Sequence, residues 1–211
     1  MENRHLFLFG GSPPFTESLG KMFADFSLNQ KVKIAILFLE RDGWKEYMKK
    51  YTRELENNHI KEFVYLPLNS ESQNKILKEL TSCTGIIIGG GKTELYRNYI
   101  VDTSIGECIR EMYKKGFPVA GFSAGSLICP ADCVISPIDN SQCKHLFLTG
   151  LGLISGCVIS VHFSKWNEEK NLVTAMKKIN VPIGYGIDDD AGLYFENEVL
   201  KKKEGKSYTF T

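Results

Sequence analysis

A mostly parallel β-sheet with helices on both faces is the fold class this sequence predicts, and three observations carry the prediction. Short apolar runs alternate with longer stretches whose apolar residues recur at helical spacing. Several runs, GIIIGG (85–90) among them, are apolar without interruption, as strands buried on both faces are. The composition, 43% hydrophobic, 11% aromatic and 24% charged over 211 residues, is that of an ordinary folded protein with chain enough for a sizeable core.

Taken in order, HLFLFGG (5–11) reads as a first buried strand and FTESLGKMFADF (15–26) as a helix. KIAILFLE (33–40) is a second strand, and DGWKEYMKKYTRELENN (42–58) a charged amphipathic helix whose Trp44, Tyr47 and Tyr51 are expected to pack into the core. FVYLPL (63–68), SQNKILKEL (72–80) and TGIIIGGG (84–91) repeat strand, helix, strand. IGECIREMYKKG (105–116) is a helix and FPVAGF (117–122) a strand. An irregular stretch rich in Pro, Asp, Asn, Ser and Gly follows, from about 129 to 156. CVISVHF (157–163), KNLVTAMKKI (170–179) and VPIGYGI (181–187) resume the alternation. The tail, 192–211, reads as antiparallel strands turning at Glu204-Gly205, with Lys201, Lys202 and Lys203 at a solvated sheet edge. No linker or repeat divides the chain, so residues 1–211 are expected to form one α/β domain.

The charge balance excludes some functions. Twenty-six basic and 25 acidic residues leave +1, no field to attract nucleic acid or anionic lipid. No apolar run reaches the ~18 residues of a membrane span, and the first residues do not read as a signal peptide, so a cytoplasmic protein is expected. The six cysteines then read as reduced thiols. Cys129, Cys133 and Cys143 with His145 fit no zinc-finger spacing, and neither metal nor cofactor is expected.

In an open parallel sheet, ligands bind beyond the carboxyl ends of the strands. Four strands are followed there by chemistry-bearing residues: Gly91-Lys92-Thr93, then Ser123-Ala124-Gly125, then His162, then Asp188 to Asp190. Gly121-Phe122-Ser123-Ala124-Gly125 is a G-x-S-x-G between a strand and a helix, the form of a strained turn that lifts a serine hydroxyl clear of the backbone. Its Ala124 amide would face an incoming carbonyl oxygen. His5, His59 and His145 read as structural, whereas His162 ends a strand on the serine's side and suits a general base. A carboxylate must orient it, and Asp188, Asp189, Asp190 and Asp139 are all candidates. Trp166 either walls the pocket or caps a helix.

Four blocks, GIIIGGGKTELY, PVAGFSAGSLI, ISVHF and GIDDDAGLYF, resemble the serine peptidases related to dipeptidase E (alpha-aspartyl dipeptidase) and cyanophycinase, in the same order, between about 84 and 195. The resemblance implies a flavodoxin-like sheet similar to class I glutamine amidotransferase domains, and amide hydrolysis through an acyl-serine. It places the nucleophile at Ser123, the base at His162, the third member at Asp189, and oxyanion donors at Gly90 and Ala124. The sequence departs from the family pattern at Lys92 and in having aspartate rather than glutamate at 189.

The expectation is therefore a serine peptidase for small peptide or related amide substrates, with 129–156 as a short lid. Two rivals use the same residues. A nucleotide-binding protein would read the GGGKT loop as a phosphate cradle, but a P-loop needs glycine where Ile86 stands. An inactive binding or sensor protein would keep the pocket without turnover. The acid of the triad, the preferred side chain, the role of Lys92 and the oligomeric state stay open at this point.

Overall fold

The computed structural model describes residues 2–28 and 32–211. Strand β1 (His5–Phe9) leads to helix α1 (Glu17–Ser27), and β2 (Ile34–Phe38) to α2 (Trp44–Asn57). Next come β3 (Phe63–Pro67), α3 (Gln73–Leu80), β4 (Gly85–Ile88), α4 (Thr93–Ile100) and α5 (Ser104–Lys114). Then β5 (Val119–Phe122) passes directly into the short α6 (Ala124–Ile128). The segment that follows holds β6 (Asp132–Ile135), a 3₁₀ turn (Pro137–Asp139) and β7 (Leu146–Thr149). The last third is β8 (Cys157–Ser160), α7 (Glu169–Ile179), β9 (Ile183–Ile187), β10 (Gly192–Glu196), β11 (Val199–Glu204) and β12 (Ser207–Phe210).

Seven strands form the main sheet in the order β11-β10-β1-β5-β4-β2-β3. The pairs from β1 through β5, β4 and β2 to β3 are parallel, and β10 and β11 join antiparallel at one end. Both faces are covered, which is why the central strands are apolar throughout. Along β1, Phe7 and Phe9 pack with residues of α1 and α2, while Leu6 and Leu8 enter the larger core with residues of α3, α4 and α5. Tyr51 is buried in the first of these layers, with Trp44 and Tyr47 half-buried against it, the packing expected of them. Helix starts follow ordinary capping chemistry: Ser72 accepts from the Lys75 N–H and Thr103 from the Ile105 N–H.

Three details differ from the sequence reading. Strands β8 and β9 do not extend the main sheet; with β12 they form a separate three-stranded sheet, covered by α7 through a small core of Val158, Phe163, Leu172 and Ala175. The stretch read as irregular contains a hairpin, β6 pairing β7 antiparallel, whose four-residue strands are too short to show a period through the polar residues between them. In the tail, Glu204-Gly205 does not close a hairpin. Strand β11 pairs β10 and β12 pairs β9, so that turn carries the chain from one sheet to the other. The hairpin turn is Asn197-Glu198, both residues at left-handed φ of 50° and 67°. Lys201 and Lys203 lie exposed on the edge strand β11, as such edges require.

Candidate active site

Ser123 sits between β5 and α6 at φ 49° and ψ −109°, a conformation that L residues avoid. The neighbours leave it little choice. A methyl group on Gly121 would come within 2.6 Å of the Gly125 backbone, and one on Gly125 within 2.2 Å of the Ile88 carbonyl oxygen. The fully buried Ser126 hydroxyl lies 2.7 Å from the Gly121 carbonyl and 2.8 Å from that of Phe9, and accepts the Phe9 N–H. The Ser123 N–H donates to the same Phe9 carbonyl, so β1 clamps the elbow from beneath.

His162 also has a left-handed backbone, φ 50°, and its N–H donates to Gly10, just beyond β1. Its Nε2 lies 2.9 Å from Ser123 Oγ, and its Nδ1 is hydrogen-bonded to Asp189 Oδ1. Lys165 donates to the other Asp189 oxygen at 3.1 Å. The imidazole is 13% exposed and the carboxylate 42%. Burial pushes the Asp189 carboxyl up, but hydrogen bonds from His162 and Lys165 outweigh it and hold it below the usual range.

The other acids are engaged differently. Asp188 accepts from the Ser164 N–H at 2.7 Å and its hydroxyl at 2.8 Å, fixing the turn that follows His162. Asp190 makes no side-chain hydrogen bond among the described residues. Asp139 accepts from the Thr93 hydroxyl at 2.7 Å. Trp166 walls the site: its ring lies against His162 with centroids 4.2 Å apart, and its backbone N–H donates to the His162 carbonyl.

The two oxyanion candidates differ. Ala124 is the first residue of α6, and its N–H donates to none of the described residues. The Gly90 N–H instead donates to the Tyr51 hydroxyl at 3.0 Å, while Tyr96 donates to the Gly90 carbonyl. An oxyanion would have to compete with Tyr51 for that amide. The phosphate-cradle reading of the GGGKT loop meets a different obstacle. Thr93, whose hydroxyl a P-loop would turn to a metal ion, is 1% exposed and bonded to Asp139. No three His, Cys, Asp or Glu side chains converge as a metal site among the described residues.

Sequence reasoning missed Lys165, Ser164, Ser126 and the Tyr51 hydroxyl. Lys165, Ser164 and Tyr51 belong to no motif, and each acts through a partner distant in the chain. Only Ser126, a second small polar residue in GFSAGS, left a local sign.

A family model described as peptidase family S51 matches residues 6–203. The chain belongs to peptidase family S51. Among S51 relatives, the cyanophycinase of Trichormus variabilis is 25% identical over 164 residues, 74% of this chain and 55% of its own length. That of Synechococcus elongatus is 25% identical over 128 residues, 59% of this chain and 40% of the relative. The chain thus spans about half the length of the curated relatives it matches. Two solved structures share the fold. A peptidase from an acI-B1 Actinobacterium superposes with a TM-score of 0.69 at 18% identity, covering 98% of this chain and 97% of that one. A protein named for peptidase E from Listeria monocytogenes EGD-e gives 0.67 at 18% identity, covering 96% and 98%. Among the described residues, no helix is long and apolar enough to cross a membrane.

Proposed function

We propose that this S51 protein is a serine peptidase that cleaves small peptide or related amide bonds through Ser123, His162 and Asp189. The observation that carries the reading is the continuous hydrogen-bonded chain from Ser123 Oγ through the His162 ring to Asp189, built on a strained elbow. Ser123 Oγ attacks the carbonyl carbon and passes its proton to His162 Nε2. The C–N bond then breaks, the leaving amine takes that proton, and an acyl-serine remains. Water hydrolyses the ester by the same route, with His162 again holding the proton in transit. Asp189 keeps His162 Nδ1 protonated and stabilises the imidazolium. Lys165 keeps Asp189 ionised and aligned. The Ala124 N–H receives the oxyanion, joined by the Gly90 N–H once it turns from Tyr51.

The β6–β7 hairpin with its 3₁₀ turn lies beside this site, and we read it as the wall that favours short substrates. The test is a mass-spectrometric hydrolysis screen of dipeptides and short peptides, Asp-X and β-aspartyl bonds included, with wild type and Ser123→Ala. Cleavage that vanishes in the variant supports the reading. Absence of any Ser123-dependent product overturns it in favour of a binding protein on the same fold.

A further inference from the structure

Beneath the β6–β7 hairpin lies a partly open cavity of about 20 Å³ whose polar lining takes no part in the proton path just described. Ser136, Asp139, His145, Trp166, Glu168 and Asn171 contribute to it, over an apolar floor. Glu168 is 3% exposed, and the one hydrogen bond to its carboxylate among the described residues comes from Asn171 Nδ2 at 2.9 Å. No cationic side chain lies within ion-pair distance of Glu168 or Asp139 among the described residues. Ser136 Oγ and His145 Nε2 are buried with no hydrogen-bond partner among the described residues.

This arrangement of polar groups is costly in isolation. A buried carboxylate without a cation and two orphaned polar atoms each forfeit free energy that water or a ligand would restore. Burial pushes the Asp139 carboxyl up and outweighs the Thr93 hydrogen bond and the neighbouring His162, and the negative charge of Glu168 adds to the rise. The volume is room for about one water-sized group. It excludes a guanidinium or a ring. A group of that size carrying positive charge and several donors is a primary ammonium, whose three N–H bonds would be taken by the two carboxylates and the Ser136 hydroxyl. The cavity is also close to the chemistry. Trp166 forms part of its wall and lies against His162.

We infer that this cavity is a specificity subsite that binds a primary ammonium group of the substrate, held by Glu168 and Asp139. The ammonium is either the amino terminus of a short peptide or a lysine side chain near the scissile bond. For its role in turnover the inference rests on the peptidase reading above.

Two measurements test it. The first compares kcat/KM for free and N-acetylated peptides, and for lysine against norleucine beside the cleaved bond, in wild type, Glu168→Gln and Asp139→Asn. Wild type should prefer one of the ammonium substrates by about 10- to 100-fold, the worth of a charge-assisted hydrogen bond or two. Which pair shows the preference identifies the source. Both isosteric variants should bring that ratio toward one while turning over the neutral substrate as before. The second follows the Trp166 indole resonance during methylammonium titration of the Ser123→Ala protein, which needs no activity. Saturable shifts that Glu168→Gln abolishes support the subsite. If no peptide is cleaved, the peptidase reading fails and the titration alone decides the subsite. An unchanged substrate ratio in both variants, or a cavity that holds only water and ignores methylammonium, overturns the inference.

Discussion

The turn that carries Ser123 and the loops that carry His162 and Asp189 meet at one point but are held there by different means. The serine's turn is local. Gly121, Ser123, Gly125 and Ser126 lie within six positions, and backbone contacts of 2.2 to 2.6 Å to any added methyl group fix its shape. His162 and Asp189 belong instead to the small three-stranded sheet, 39 and 66 residues from the serine, by 162 − 123 and 189 − 123. Their placement against the serine depends on a bond that crosses between sheets, His162 N–H to Gly10, while Gly10 N–H to Ala191 and Asp188 N–H to Lys206 extend the pairing within the main and the small sheet. The serine's turn is thus specified by close packing among near neighbours, whereas its meeting with His162 depends on how two sheets dock.

Substitutions sharpen that contrast, beginning with the largest expected effect. Ser123→Ala should cost about 10⁶ in kcat, because a triad working as a unit fails as a unit. Asp189→Asn should cost about 10⁴ by leaving His162 in the wrong tautomer. Asp188→Asn should cost much less, since Asp188 holds only the Ser164 turn. Steady-state kinetics on one substrate rank the three, and equal losses at 188 and 189 would erase the distinction between orienting acid and scaffold.

On the serine side, Gly125→Ala should lower stability by about 1–3 kcal/mol, the cost of overpacking a tight site. Thermal melting measures it. An undisturbed melting temperature would mean that the elbow is less constrained than its contacts imply.

Acid provides a milder probe of the partner side. Asp189 is held below its ordinary value of 3.8 in the folded state, so its contribution to stability is present above that value. The contribution is lost as pH falls through the lower folded value. The melting-temperature advantage of wild type over Asp189→Asn should therefore be largest above pH 3.8 and shrink below it. A constant difference across that window would show that the charge of Asp189 is not what the fold uses.

The smallest change expected is at Tyr51→Phe, which releases the Gly90 N–H. If the hydroxyl competes with the oxyanion, kcat should rise by about two- to fivefold, well under the effect of a whole oxyanion donor. A fall would instead mean that Tyr51 positions the glycine loop.

Much of the molecule was legible from the chain. Continuous apolar runs such as GIIIGG announced strands buried on both faces, and G-x-S-x-G after a strand announced the strained turn, because both patterns arise from neighbours in sequence. The short β6–β7 hairpin was hidden, since four residues carry too little periodicity. The turn at Glu204-Gly205 was misread because a glycine turn looks alike whether the next strand pairs back or crosses to another sheet.

The division has a physical origin. Strand and helix preference, burial on two faces and the shape of one turn depend on residues a few positions apart, and the sequence by itself determined them. Several matters depended on atoms that meet only after segments distant in the chain pack together. Packing put Asp189, rather than Asp188, Asp190 or Asp139, against His162, and brought Lys165 to the same carboxylate. It turned the Gly90 amide toward Tyr51 and left Glu168 buried without a cation. Hydrogen bonds and charges act over a few ångströms in space, and only the tertiary structure decides which groups come within that reach.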